Sequence, residues 1–341
     1  MRSIADHADP GRDGPVSARV PPIKDPAPRG KWSRIAFWLS GLLDKSLHFG
    51  ELQRFVELAR EAEPIWLLVA GLCQAATYVC AAAVWHRALR EGGVPRRLAS
   101  IVPLGLAKLF TDQALPSGGI SGTLLAVSGL ARRGVPARIG MAALLVGLVS
   151  FYAAYLLAVL SALAVLWRYH AVSPVLVVGV SIFCVVAAAI PATVLISRRF
   201  ASLPVTRYLD RIPGLAALLR SIGEAPADLL RKPRLVAETI LLQLAIFLLD
   251  AITLWLMLRA VGQIVDFSAT FAAFMTATVA ATLGPVPLGL GTFEAVSVAM
   301  LNQLGTPLEP ALAATLLARG FTLWLPMIPG LWVARRELRP R

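Results

Sequence analysis

SATFAAFMTATVAATL, GPVPLGLG and TFEAVSVAMLNQLG follow one another over residues 268–305. The outer two pieces are apolar enough for lipid, yet each falls short of the roughly 20 residues that a helix needs to cross about 30 Å of hydrocarbon. The middle piece carries Pro285, Pro287, Gly289 and Gly291, residues that interrupt a helix by ring geometry and backbone freedom. Irregular backbone at membrane depth is tolerated only when protein covers it or it lines a wet cavity. This stretch therefore predicts a helical membrane protein with a broken segment buried inside it.

A second broken segment lies earlier, over 98–131: LASIVPLGLAKLFTDQAL, then PSGGISG, then TLLAVSGLA. Around the two breaks stand continuous apolar runs at 64–85, 139–167, 172–197, 235–258 and 311–333, each long enough to span. Pro191 predicts a kink in the third of these. Hydrophobic residues make up 57% of the 341 and charged residues 16%, against about 25% charged in soluble domains. The mean hydropathy is +0.69, which excludes a water-soluble globular class.

The net charge of +13 does not point to nucleic acid. The arginines sit in short segments between apolar runs, the pattern of cytoplasmic loops, and no aromatic-interleaved basic domain is present. Cys73, Cys80 and Cys184 all fall within apolar spans and form no paired framework and no metal spacing. Residues 1–30, rich in Pro, Gly and charge, read as a disordered cytoplasmic tail without the apolar core of a signal peptide. Residues 31–341 read as one transmembrane domain. Residues 34–49, interrupted by Asp44 and Lys45, fit either a short span or an interfacial helix. Across 198–234, Val205, Tyr208, Leu209, Ile212, Leu215, Leu219 and Ile222 recur at helical spacing among arginines, the mark of a basic amphipathic loop on the cytoplasmic leaflet.

Charge bias orients the breaks. The first is flanked by Arg96 and Arg97 and by Arg132, Arg133 and Arg138, so both its ends are expected in the cytoplasm. The second is flanked by Arg259, Asp266 and Glu309, so its ends are expected outside. Arg335, Arg336, Arg339 and Arg341 bring the C-terminus back to the cytoplasm. The result is an all-α polytopic fold of about six or seven transmembrane helices with two inverted re-entrant hairpins. The repeats cover approximately 34–167 and 172–333, and they pair 172–197 with 34–49, which favours a crossing there. Such paired, Gly/Pro-interrupted segments point to a transporter site near the midplane. The competing reading is a pair of kinks in ordinary packed helices.

The stretch GPVPLGLGTFEAVSVAMLNQLGTPLEPALAATLLARGFTLWLPMIPGLW resembles the C-terminal part of the lysylphosphatidylglycerol synthase transmembrane region family. This flippase-like family includes the membrane half of the multiple peptide resistance factor. Its pattern is a Pro–Gly–Gly-type break followed by Glu and an apolar helix carrying Arg. Here these features fall on Pro287, Gly289, Gly291, Glu294 and Arg319, and the resemblance extends over roughly 34–335. Leu288–Gly289 stands where the family has a Gly–Gly pair, and PSGGISG stands where it carries Arg and Glu. The resemblance implies lipid handling or translocation, without the soluble aminoacyl-transfer domain and hence without aminoacyl-lipid synthesis.

Several residues are candidates for that work. Gly118, Gly119 and Gly122, with Ser117 and Ser121, would let successive N–H groups converge as an anion nest at a half-helix start. Gly118 and Gly122 equally suit small-xxx-small helix packing. Glu294 stands three residues after Gly291, where a carboxylate favours a helix start. Arg319 lies well inside its span, where an Arg costs about 2.5–3.5 kcal/mol and needs a partner. Glu294 is the expected partner, in a purely structural ion pair or in one that lines a lipid path. Lys108 and Asp112 are spaced to pair with each other. Asp250 and Gln243 suggest interhelical hydrogen bonds, and His48, His86 and His170 read as interfacial.

The function expected from all this is translocation of a phospholipid or other amphipathic lipid across the inner membrane. No GxxxxGK[ST] phosphate loop points to ATP, and no HExxH or Cys/His set points to a metal enzyme. No cofactor, metal or nucleic-acid partner is expected. The alternatives are a lipid-modifying membrane enzyme or an accessory subunit of an envelope-lipid biosynthetic enzyme. The lipid, its direction, its energy coupling and the oligomeric state are left open.

Overall fold

A computed structural model describes residues 60, 62–114, 120–199, 227–284 and 289–338. The tail at 1–30, the segment 34–49 and most of 198–234 lie outside them. The described residues fold into helices, with no strand among them.

Helix α1 spans Pro64–Glu91; its proline stands where a first-turn N–H needs no partner. Helices α2 (Leu98–Ala114) and α3 (Ile120–Arg132) follow on either side of the first break. Helices α4 (Ala137–Arg168) and α5 (Pro174–Arg199) are long and apolar. In the second half, α6 spans Pro233–Ala260, again opening on proline. Helices α7 (Phe267–Leu283) and α8 (Thr292–Gln303) flank the second break. Helix α9 (Leu308–Arg319) passes through a π turn at Gly320–Trp324 into α10 (Leu325–Leu338).

Among the described residues five helices are long and apolar enough to cross a membrane: α1, α4, the Pro174–Thr193 part of α5, α6, and α9–α10 taken together as Leu308–Arg336. They coincide with the five runs picked out by hydropathy. By contrast α2, α3, α7 and α8 have 17, 13, 17 and 12 residues, and at about 1.5 Å per residue the shorter two reach only about 18–20 Å.

Helices α1 and α6 lie side by side and run in opposite directions. At one end Arg87 Nε donates to Glu238 at 2.8 Å and Lys232 Nζ to Glu91 at 2.8 Å. At the other, the Glu63 N–H reaches the Ala260 carbonyl at 3.3 Å. Between the ends Gln74 Nε2 bridges to Asp250 Oδ1 and Thr253 Oγ1, each at 2.9 Å.

The broken pairs pack alike. Helix α2 lies against α1, α3 and α10, and α7 lies against α6, α8 and α4. Gly330 on α10 comes so close to α2 that an added Cβ would stand 2.8 Å from Phe110 Cβ. Arg96 ties the outer ends of α2 and α3 together, donating to the Arg133 carbonyl at 2.6 Å and the Gly134 carbonyl at 2.8 Å. Two apolar cores result. One gathers around Tyr155, whose ring stands 4.3 Å from Phe183 and 4.9 Å from Phe247; the other fills the space among α1, α2, α3 and the start of α4. Helix α5 hangs on the outside: Val175, Val177, Val178, Val185 and Val186 are all exposed, which leaves them to lipid.

Candidate functional site

The second break builds one wall of an open cavity. Gly289 holds φ +62°, and a Cβ there would meet Ala281 Cβ at 2.5 Å, so the loop can fold back on α7 only as glycine. Gly291, at φ +78°, turns the chain into α8. Its N–H donates to Glu294 Oε2 at 2.7 Å, placing a carboxylate at the positive end of the helix. The other oxygen, Glu294 Oε1, accepts from Arg319 Nε on α9, also at 2.7 Å. The Arg319 guanidinium carbon lies 4.8 Å from the centroid of the Phe293 ring, a cation–π distance. The two charged side chains are 17% and 13% exposed, so the pair is largely enclosed.

The cavity behind this pair measures about 460 Å³. Asp250 on α6, Phe274, Thr278 and Thr282 on α7, Gly289, Phe293 on α8, and Arg319 and Thr322 contribute to its wall. Thr278, Thr282 and Thr322 donate their hydroxyl hydrogens to carbonyls one turn back, at 2.8, 2.8 and 2.9 Å. Their oxygens are left as acceptors. The Tyr155 hydroxyl lies 3.0 Å from Thr282 Oγ1 and, with that hydrogen already committed, serves as the donor. The wall thus combines one guanidinium with one carboxylate and a row of acceptor oxygens. Among the described residues no cation pairs with Asp250; its hydrogen-bond partner is the amide of Gln74.

The first break has a parallel construction. Lys108 pairs with Asp112 one turn along α2, and Asp112 Oδ1 accepts the Gly122 N–H at 3.1 Å. A Cβ at Gly122 would collide with that carboxylate. The anion at the start of α3 is therefore supplied by the chain itself, as Glu294 supplies one at the start of α8. Ser121 lies in the first turn of α3. Ser117, Gly118, Gly119 and Pro287 lie outside the described residues.

Of the sequence candidates, the fold brings together Gly289, Gly291, Glu294 and Arg319 at the cavity, and Lys108, Asp112 and Gly122 at the first break. Asp250 makes the interhelical bond expected of it and also lines the cavity, a placement the sequence does not reveal. Gln243 lies on α6. The His86 ring contacts the Arg96 carbonyl at 2.8 Å, and His170 sits in the turn after α4 with φ +53°. Sequence reasoning missed Thr278, Thr282 and Thr322. The signal for two of them is a helix in which hydroxyls, at Ser268, Thr270, Thr276, Thr278 and Thr282, are the only polar side chains.

No curated protein matches the chain. The family model described as lysylphosphatidylglycerol synthase TM region matches residues 35–330. That match takes in both breaks, the Glu294–Arg319 pair and every helix lining the cavity, and the chain belongs to this family of transmembrane regions.

Proposed function

We propose that the protein moves an amphipathic lipid between leaflets, its head group passing through the cavity behind Glu294 and Arg319 while its acyl chains stay in lipid. Family membership and the multi-spanning helical architecture support lipid translocation and a multi-pass location in the bacterial inner membrane. The match is to a transmembrane region and not to a catalytic synthase domain. The observation that carries the reading is a polar cavity of about 460 Å³ walled by Arg319, Asp250 and threonine hydroxyls inside helices otherwise built for hydrocarbon. Intramembrane charge is expensive and marks substrate or ion paths.

In this reading α2–α3 and α7–α8 are re-entrant hairpins entering from opposite sides, within inverted repeats at approximately 34–167 and 172–333. The antiparallel contact of α1 with α6, and the matched packing of α2 on α10 and α7 on α4, support that arrangement. Counting 34–49 gives six spans. The tail at 1–30, the loop at 198–234 and the C-terminus then face the cytoplasm. Lys108, Asp112, Ser121 and Gly122 at the first break border the path. Membrane lipids are the partner; a cavity with both charge signs suits a phosphate-bearing head group at Arg319.

The test is leaflet exchange of fluorescent phospholipids in vesicles containing the full chain. Exchange should be faster than in protein-free vesicles, and Thr278→Leu or Thr322→Leu, which fill the cavity, should slow it. Rates equal to those of protein-free vesicles across anionic, zwitterionic and isoprenoid lipids would sink the reading.

A further inference from the structure

Asp250 is the cavity's unbalanced charge. Arg319 already has Glu294 as its counter-ion at 2.7 Å, whereas among the described residues Asp250 is bonded to a neutral amide and to no cation. The orientation of that amide is fixed. Thr253 Oγ1 gives its hydrogen to the Leu249 carbonyl at 2.9 Å and so faces Gln74 as an acceptor, as Asp250 does. Both acceptors demand the NH₂ end of Gln74. One turn further along α1, the Tyr78 hydroxyl is buried without a hydrogen-bond partner among the described residues and lies within electrostatic reach of Asp250. Gln74 and Tyr78 therefore offer Asp250 hydrogens, while the acceptor oxygens of Thr278, Thr282 and Thr322 belong to the rest of the cavity wall, which is why a sodium gradient is the control below.

The neighbours of α6 bring few other ionisable groups to this level. Helix α1 contributes Tyr78, α4 contributes Tyr152 and Tyr155, and α9 contributes Arg319 with Glu294 of α8 behind it. Helix α7 carries no ionisable residue.

We infer that Asp250 is a proton-binding site in the cavity wall, and that its loading from one side of the membrane and release to the other couples translocation to a proton gradient. This rests on the cavity being the head-group path. The carboxylate takes a proton on the oxygen not bonded to Gln74 and returns the same proton; no covalent bond is made or broken elsewhere. Neutral Asp250 leaves Arg319 facing an uncharged wall, and ionised Asp250 faces it with a counter-charge. The two forms thus present different cavities to a charged head group, the differential interaction any coupling needs.

Infrared difference spectroscopy of the reconstituted full chain reads the site without any lipid substrate. One component of the carboxylic-acid C=O absorption that grows as pH falls should be missing in Asp250→Asn and retained in Glu294→Gln. Asp250→Glu should move the band rather than remove it, which serves if Asp250→Asn does not fold. In vesicles, a gradient of one pH unit should change the exchange rate by up to about tenfold, while an equal sodium gradient should not. A low-pH C=O absorption unchanged in Asp250→Asn, or exchange indifferent to the pH gradient or driven by sodium, overturns the inference. A titrating Asp250 band in a protein that exchanges no lipid upholds the proton site and removes the lipid reading. Lipid exchange without a titrating band does the reverse.

Discussion

Glu294 uses its two oxygens for two different helices: Oε2 takes the Gly291 N–H that starts α8, and Oε1 takes Arg319 Nε on α9, each at 2.7 Å. Removing one partner of a buried pair typically costs about 3–5 kcal/mol, because the other charge is stranded. With the pair at 17% and 13% exposure, the lower end of that range is expected for Arg319→Gln. Glu294→Gln should cost less, because the amide oxygen can still accept from Gly291. Unfolding in detergent, measured for both single variants and the double, should give a coupling of about 0.5–3 kcal/mol. Strict additivity would show that the pair contributes nothing.

Gly289→Ala meets two obstacles that can be separated. Its φ of +62° strains any residue with a Cβ, and the new Cβ stands 2.5 Å from Ala281 Cβ. A loss of about 2–4 kcal/mol is expected from strain and overpacking together. Adding Ala281→Gly should recover the overpacking share and leave the strain. Full recovery in thermal unfolding would mean that the backbone angle costs nothing.

Gly122→Ala drives a methyl group into the Asp112 carboxylate. It should break the contact that starts α3 and lower the folded fraction, at a cost of about 1–3 kcal/mol. Asp112→Ala clears the space, so the double variant should be more stable than the sum of the singles predicts. The readout is the same unfolding measurement; no coupling between the two positions would mean that the carboxylate does not sit over Gly122.

Sidedness can be read by thiol labelling in a background lacking Cys73, Cys80 and Cys184. Glu309 precedes the cavity-lining part of α9 and Arg336 lies in the last turn of α10, and both are exposed. An impermeant reagent should reach Glu309→Cys only from outside and Arg336→Cys only from the cytoplasm. Labelling of both from one face would mean that α9–α10 does not cross.

Continuous spans were legible because hydrocarbon thickness and run length share one scale; all five runs read from the sequence are helices. The Glu294–Arg319 contact was legible because an Arg within a span needs a partner and few acids stand nearby. Lys108–Asp112 followed from helical spacing alone. Asp112 over Gly122 was not readable, because the two residues lie on opposite sides of a break whose fold no periodicity sets. Nor was the place of Asp250 in the cavity: its helix is apolar on nearly every side, so the sequence carries no face by which to aim it.

The π turn at Gly320–Trp324 follows Arg319 directly. A turn with an i→i+5 bond holds more than the usual 3.6 residues, so the helix behaves as if one residue had been spliced into it. The two ends of the span are thereby out of phase. Arg319 can look into the cavity while Gly330, eleven positions on, still meets Phe110. Deleting one residue within 320–324 would restore a regular helix of the right hydropathy. Everything beyond would then keep its place, with Gly330 on α2 and Arg319 on Glu294. Straightening the turn with all its residues kept would instead rotate one end against the other by about 100° and break one of the two contacts without altering either residue.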